Sequence, residues 1–260
     1  MRKNILIITS LVFLLTCFIT TGFCGITADD IIKRVAERNF KDSFRVALTI
    51  ETFKGQKPPS MQALWVSGKL QRGVADFFFD FDEPKESKGL RFLLQIRPNQ
   101  DPKVYMHLPA TGKTLPVVSD DASFDIGGTG LNTEDILGFV PRAGEKHSIV
   151  REEKFDGQDC WVIQTLKTGK KGEHHAWVRK SDFTVVKSED LDANNQTTRS
   201  YRVIKFFKTQ DGREFSREEE IKIPKKNTRI LVRQDHAVFG IELANELFDP
   251  EKFGTFKWKD

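Results

Sequence analysis

Most of the chain alternates apolar and polar residues with a period of two. In FRVALTIETF, residues 44–53, the apolar positions are Phe44, Val46, Leu48 and Ile50. Successive side chains of an extended strand point to opposite faces, so this pattern predicts a strand with one buried face. The same alternation recurs in runs that begin at residues 61, 74, 90, 103, 114, 147, 160, 173, 183, 197, 214 and 227. The pattern therefore predicts an antiparallel meander of roughly a dozen strands.

Turn signals and the absence of a linker complete this picture. Asp156-Gly157 and Asp211-Gly212 each lie between two alternating runs. Asp-Gly supplies the positive backbone angles that tight hairpin turns require. Since no interval resembles a linker and no repeat is evident, we predict one domain over residues 25–260 after a signal peptide over residues 1–24.

Helical periodicity is confined to short segments. TADDIIKRVAERNF predicts an amphipathic helix that Thr27 caps. Its apolar stripe consists of Ile31, Ile32, Val35, Ala36 and Phe40. NTEDILGF predicts a second short helix with Asn132 as its cap, and ELANELF predicts a weak turn. A sheet of a dozen strands curls because strands twist, and three small helices cannot cover its concave side. We expect a curved, mainly β fold with an apolar hollow that can hold a ligand.

Phenylalanine dominates the apolar positions, with 22 Phe against two Tyr. In VADFFFDFDE, three of them share one strand face with Ala75, while Asp76, Asp80 and Asp82 lie on the other. Any single residue of this kind is explained by core packing, but the set predicts a site for hydrocarbon, since each buried CH₂ contributes ~0.8 kcal/mol. The candidate lipid-binding residues are Leu48, Ile50, Phe77, Phe79, Phe81, Phe92, Leu94, Met106, Leu108, Leu131, Ile136 and Leu137.

The N-terminal segment MRKNILIITSLVFLLTCFITTGFC is typical of a secretory signal. Arg2 and Lys3 precede a long apolar run, and small residues follow near Cys24. We expect export to the periplasm. An uncleaved membrane anchor and a lipid-modified cysteine stay open as alternatives. After cleavage, Cys160 is the only thiol, so a packed core rather than a disulfide must hold the fold.

Charge gives no argument for nucleic acid as a partner. The formal net charge of +4 falls to +2 once Arg2 and Lys3 are removed, with 39 basic residues against 37 acidic. Local basic groups such as PKKNTR are most simply a solvated loop. We expect no binding of nucleic acid and a monomeric protein.

Catalytic and metal-binding patterns are absent from the sequence. His174 and His175 are adjacent on a strand, so they point to opposite faces and do not share a metal; we interpret them as exposed. His107 has no identifiable triad partners. The acidic runs at residues 120–121 and 218–220 lie among polar positions, and Cys160 is interpreted as a small buried hydrophobe. We therefore expect no enzyme activity, no metal and no cofactor.

One long stretch carries a resemblance to a known family. ADFFFDFDEPKESKGLRFLLQIRPNQDPKVYMHLPATGKTLPVV, residues 75–118, resembles the outer-membrane lipoprotein-sorting proteins of the LolA-like superfamily. The matching features are a strand that ends in a Pro turn, a strand after Gly89 and a Leu-Pro tract with a basic hairpin. A glycine-rich tether, the TEDI helix at residues 133–136, KFDGQDCWVIQT and NELFDPEKF extend the similarity. The hairpin ATGKTLP departs from the several arginines of many members, which puts the partner surface in doubt.

The resemblance implies a curved antiparallel half-barrel with a few covering helices. It further implies a periplasmic carrier that binds acyl chains of lipoproteins or phospholipid and delivers them toward the outer membrane. The tether and short helix would form a movable lid, with an inner-membrane transporter and an outer-membrane acceptor as partners. An amphiphile-binding sensor or an accessory subunit of a membrane transporter or stress-signalling complex stays open as the alternative.

Overall fold

The computed structural model describes residues 25–39, 41–71, 74–97, 100–117, 124–137, 144–167, 169 and 171–258. The predicted signal peptide, Phe40 and the acidic run at residues 120–121 lie outside these ranges. No helix within them has the length and apolar character needed to cross a membrane.

Alternating runs become thirteen antiparallel strands of one sheet. The strands are β1 (Phe44–Lys54), β2 (Ser60–Gln71), β3 (Val74–Glu83), β4 (Arg91–Ile96), β5 (Lys103–Leu108), β6 (Lys113–Val117), β7 (Glu145–Phe155), β8 (Gln158–Lys167), β9 (Glu173–Arg179), β10 (Val185–Leu191), β11 (Thr197–Lys208), β12 (Glu214–Ile223) and β13 (Thr228–Phe239). The mainly β fold predicted from the alternation is confirmed.

The sheet is an open half-barrel made of two meanders. Its strand order is β6-β5-β4-β3-β2-β1-β13-β12-β11-β10-β9-β8-β7, so β1 and β13 join the first meander to the second. The two edges, β6 and β7, follow each other in the chain. The link between them must therefore span the sheet from one edge to the other. Its described part, residues 124–137, is called the crossing segment below.

Both predicted helices form and are capped as expected. Helix α1 (Ala28–Asn39) is capped by the preceding residue, Thr27, whose Oγ1 accepts a hydrogen bond from the Asp30 backbone N–H at 3.1 Å. Helix α2 (Thr133–Leu137) lies in the crossing segment, and Asn132 Oδ1 accepts from the Asp135 N–H at 3.0 Å. These side-chain acceptors satisfy N–H groups that have no partner inside a helix.

Helix α1 covers one part of the concave face. Ile31 and Val35 are buried against Ile163, Ala176 and Val178, which lie on β8 and β9. The other part of the concave face belongs to a larger apolar cluster formed by β1–β4, β12, β13 and the crossing segment. The two packed regions are separated by the cavity described below.

The C-terminal segment departs from the expected arrangement. Its turn at Asn245–Phe248 does not help to cover the concave side, because Leu247 and Phe253 pack on the opposite, convex face against Phe78 and Leu93. The side of β3 with Asp76 and Phe78 is consequently buried as well. Arg91 fixes this segment by donating to the carbonyl oxygens of residues 253, 254 and 256 at 2.9–3.2 Å.

The two Asp-Gly turns differ. Asp156 and Gly157 both have positive φ, at 47° and 77°, and close a two-residue hairpin between β7 and β8, as predicted. At Asp211-Gly212 only the glycine has a positive φ, at 82°, and the loop is longer, with Thr209 N–H bonded to Arg213 C=O at 2.9 Å. A hairpin joins β11 and β12 at this dipeptide as predicted, but its turn is wider than two residues, because the side chain of Asp211 accepts from Thr209 and Arg213.

Candidate functional site

A cavity of about 300 Å³ lies between the concave face of the sheet, α1 and the crossing segment. This volume is at the lower end of the range of small-molecule sites. The cavity extends under the crossing segment from β3 on one side to β7 on the other. It therefore lies along the seam where the two meanders join.

Strands β1–β3 supply one side of the cavity, here called the apolar wall. These residues share hydrocarbon or aromatic side chains that face inward at every second position: Phe44, Val46, Leu48, Ile50, Leu64, Val66, Phe77 and Phe79. Adjacent strands bring them into register, since Val46 pairs with Val66 and Leu48 with Leu64. No hydrogen-bonding side chain interrupts this set. The wall therefore has no polar group that would select one hydrocarbon chain over another.

The twelve residues predicted to bind lipid occupy different places. Six line the cavity: Leu48, Ile50, Phe77, Phe79, Leu131 and Ile136. Phe81, Phe92 and Leu94 are buried in the same apolar cluster, and Met106 packs against it, but they do not line the cavity. Leu108 is half-buried at the end of β5, outside both cluster and cavity, and the Leu137 side chain lies outside the described residues. Lipid contact by the six lining residues stays a prediction.

The glycine-rich part of the crossing segment is fixed to the sheet. Thr52 Oγ1 donates to Thr129 C=O at 2.7 Å, and Gln62 Nε2 donates to Gly127 C=O at 2.9 Å. Gly127 has φ +65°, and a Cβ there would lie 2.4 Å from the Phe81 ring. Glycine at this position thus allows both a left-handed backbone and close approach to the sheet. The contacts anchor the start of the predicted lid.

The opposite side of the cavity, here called the polar wall, is formed by β7–β11. Most of its side chains are polar or charged, although Ala176 and Val185 also line the cavity here. The polar and charged members are Glu145, His147, Thr165, Lys167, His174, Ser188, Asp190 and Arg199. The sequence reasoning missed this wall. Because these residues are the polar positions of alternating strands, the alternation predicts that they face solvent. The sequence signal for an inward polar face was the recurrence of histidines and acids at every second position.

Helix α2 is held to the polar wall by two ion pairs. Arg199 donates from Nε to Asp135 Oδ1 at 2.6 Å, and from Nη2 to the other carboxylate oxygen. Arg199 Nη2 also donates to Gly130 C=O at 3.1 Å. Lys167 Nζ pairs with Glu134. Burial raises the pKa of Asp135 despite the Arg199 charge, so the pair is held in a poorly solvated place.

Two histidines of the polar wall hydrogen-bond to their neighbours on the same sheet. His174 Nδ1 lies 2.8 Å from Asp190 Oδ1, and His147 Nδ1 lies 2.9 Å from Thr165 Oγ1. Burial alone would raise the pKa of Asp190, but the hydrogen bond from His174 lowers it below its ordinary value. These contacts orient both rings along the cavity surface.

Glu219 and Tyr201 lie between the two walls, on β12 and β11. The Tyr201 hydroxyl donates to Glu219 Oε1 at 3.2 Å, and Ser216 also hydrogen-bonds to this carboxylate. Glu219 is half-buried and lines the cavity. Burial raises the pKa of Glu219 and, together with the Glu219 charge, raises that of Tyr201.

The histidines of β9 and β5 and the one cysteine among the described residues are buried or half-buried. His174 and His175 do lie on opposite faces, but they are not exposed: their side chains keep only 20% and 14% of their surface. Each lies on a strand with neighbours on both sides and contacts an acidic side chain, Asp190 for His174 and Glu173 for His175. Cys160 is fully buried, as predicted, and burial raises its pKa. His107 is buried and its Nδ1 lies 3.0 Å from Thr114 Oγ1.

The acidic run Glu218–Glu220 was interpreted as an ordinary polar strand face, and this was wrong for two of its members. Glu219 faces the cavity, and Glu220 is only 3% exposed, because Arg202 and Arg229 cover it. Among the described residues, no group of three or more His, Cys, Asp or Glu side chains is arranged to hold a metal ion.

Solved structures share this architecture. A domain from Vibrio parahaemolyticus that is assigned as an outer membrane lipoprotein-sorting protein has a TM-score of 0.76 at 16% identity, over 87% of this chain and 99% of that one. A DUF1329 family protein from Desulfovibrio piger has a TM-score of 0.74 at 15% identity, over 85% and 97%. A LolA superfamily protein from Nitrosomonas europaea has a TM-score of 0.67 at 18% identity, over 86% and 98%. At these identities the likeness establishes the fold.

Sequence comparison adds the family. No curated protein matches the chain. A family model described as "-like: Uncharacterized protein" matches residues 73–255, which is more than half of the chain. The chain belongs to the family that this model describes, and its open half-barrel has the same fold as the LolA superfamily protein from Nitrosomonas europaea.

Proposed function

We propose that the protein is a periplasmic carrier that binds an acyl chain of a lipoprotein or lipid in the cavity and delivers it toward the outer membrane. The observation that carries the proposal is the apolar wall: eight inward-facing hydrocarbon and aromatic residues that line an open volume instead of closing on each other. Protein interiors are normally packed without voids of this size. An open volume beside such a wall supports the proposal that hydrocarbon binds there.

The energy of such binding needs no specific polar contact. Each methylene transferred from water contributes ~0.8 kcal/mol, so eight methylenes provide roughly 6 kcal/mol before the losses of association. The fold resembles that of a domain assigned to outer-membrane lipoprotein sorting, which agrees with transport rather than catalysis as the role. The carrier needs no catalytic group or cofactor for this task.

Release requires that the cavity can open. The glycine-rich start of the crossing segment is anchored through Thr52 and Gln62, whereas α2 is attached by the ion pairs of Asp135 and Glu134. We infer that α2 opens by breaking these ion pairs while the anchored part stays in place. The crossing segment would then act as a lid, with its glycine-rich start fixed and α2 as the part that moves.

Two measurements test the proposal. Titration of a fluorescent fatty acid should show saturable uptake at micromolar concentration, and transfer of lipoprotein from inner-membrane vesicles to an acceptor should depend on the protein. A failure to take up any acyl ligand would overturn the carrier function. Uptake without transfer, together with a stable complex with a membrane protein, would instead identify a sensor or accessory subunit.

A further inference from the structure

The charged groups around the cavity are unevenly balanced. Five lining residues are acidic: Glu134, Asp135, Glu145, Asp190 and Glu219. Two are basic, Lys167 and Arg199, and both are paired with the acids of α2. Among the lining residues that the structure describes, five acids and two bases leave a formal charge of −3 when the histidines are counted as neutral. The site therefore favours a positive over a negative head group.

Glu219 is the acid best placed to receive such a group. It lines the main cavity and also a second cavity of about 180 Å³ beneath the end of α1. Its hydrogen bonds come from neutral hydroxyls, those of Tyr201 and Ser216. It makes no ion pair with any basic side chain in the part of the chain that the structure describes. Arg38, the base across the second cavity, is paired with Asp182 at 3.5 Å.

A buried carboxylate without a cation is unfavourable, because it has lost its water and gained no opposite charge. Burial accordingly raises the pKa of Glu219, and the negative charge of Asp135 contributes in the same direction. An ammonium group in the cavity would supply the missing opposite charge. A carboxylate or phosphate would instead add a further negative charge to this surface.

The size of the cavity restricts the rest of the ligand. A volume of about 300 Å³ corresponds to roughly ten water molecules at ~30 Å³ each. That space accommodates one hydrocarbon chain of moderate length rather than several. The apolar wall lies on β1–β3, and Glu219 lies on β12, separated from β1 only by β13, so chain and head group can be bound together.

We propose that the cavity binds a single-chain amphiphile whose head group is a protonated amine, with the hydrocarbon on the apolar wall and the ammonium on Glu219. This inference rests on the proposed function, because it requires hydrocarbon to enter the cavity. The amine donates to the Glu219 carboxylate, and the Tyr201 hydroxyl orients that carboxylate from the other side.

Calorimetric titration with three ligands of the same chain length tests the proposal: decylamine, decanol and sodium decanoate, near pH 7, where an alkylamine is protonated. Decylamine should bind at least about tenfold more tightly than decanoate. A hydrogen bond to a charged group typically changes the affinity by this factor or more. Glu219→Gln should remove most of this preference. The control Glu218→Gln should keep it, because Glu218 points to the convex face and pairs with Lys205.

The outcomes separate this inference from the proposed function. If decanol binds but decanoate equals or exceeds decylamine, the amine head group is wrong and the hydrocarbon site stands. A preference that persists in Glu219→Gln would overturn the role of Glu219. If none of the three ligands binds, the carrier function fails as well. The comparison of ligands on the unaltered protein keeps the test decisive even if a variant does not fold.

Discussion

The apolar wall and the polar wall of the cavity come from the two meanders of one antiparallel sheet. On β1–β3 the inward positions hold side chains such as Val46, Leu48 and Phe77, whereas on β7–β11 they hold His147, His174 and Asp190 among others. Both regions alternate with the same period and face the same cavity. One continuous sheet therefore presents an amphipathic surface to the cavity, apolar at one end and charged at the other.

The walls also differ in how they hold the crossing segment. Against the first meander the contacts are neutral hydrogen bonds to backbone carbonyls, as from Thr52 to Thr129. Against the polar wall they are ion pairs to side chains of α2. Neutral contacts of this type are insensitive to pH and salt, whereas ion pairs respond to both. The segment therefore has a permanent attachment at one end and an adjustable one at the other.

The largest effect is expected from breaking the attachment on the polar wall. Arg199→Ala leaves Asp135 largely buried without its cation, which should lower the free energy of unfolding by about 3 kcal/mol. Chemical denaturation measures this loss. Lys205→Ala is the control on the same strand, because its pair with Glu218 is exposed and should contribute at most about 1 kcal/mol. Equal losses in the two variants would contradict a special role for the α2 ion pair.

The next effect should appear on the apolar wall as a loss of binding. Leu48→Lys places a charge among hydrocarbon side chains and should weaken uptake of a fluorescent fatty acid about a hundredfold. Thr49→Lys is the matched control, since Thr49 is the next residue on β1 and its side chain points away from the cavity to Asp235. Unchanged uptake by the Leu48 variant would place the ligand elsewhere.

A smaller effect concerns the neutral attachment of the crossing segment. Gly127 and Gly128 both have positive φ, at +65° and +78°, but only at Gly127 would a Cβ meet the Phe81 ring. Both alanine variants should lose about 1 kcal/mol through backbone strain, and Gly127→Ala should lose roughly 1 kcal/mol more through overpacking. Thermal and chemical unfolding of the two variants measures the difference. Equal stabilities would mean that the segment is not pressed against the sheet.

The smallest effect is a pH dependence set by Glu219 at the boundary of the walls. Its pKa in the folded protein is raised above 4.5 by burial, so its contribution to stability is complete below that pH and is lost as pH rises through the folded pKa. Glu219→Gln should remove this decline and raise the melting temperature by a few degrees near neutral pH. Tyr201, Asp135 and Asp190, whose pKa values are also shifted, line the same cavity. Melting curves of the variant and the original protein that stay parallel across pH would contradict the raised pKa.

Local patterns made the strands, helices and caps predictable. The period-two alternation of residues 44–53 requires one apolar face, and Thr27 and Asn132 cap their helices through contacts three residues away. The tethering glycines could also be recognised as breaks in the pattern. Their close packing against Phe81 could not, because it depends on a strand more than forty residues earlier in the chain.

By itself, the sequence determined that a large antiparallel sheet forms and that it has one strongly apolar face, because alternation and capping act between near neighbours. Only the tertiary structure decided which polar residues meet inside. The meander order brings Asp135 to Arg199, 64 positions along the chain, and turns Glu219 into the cavity. The C-terminal turn likewise packs on the convex face. The sequence of an amphipathic segment does not specify which of two apolar surfaces it covers.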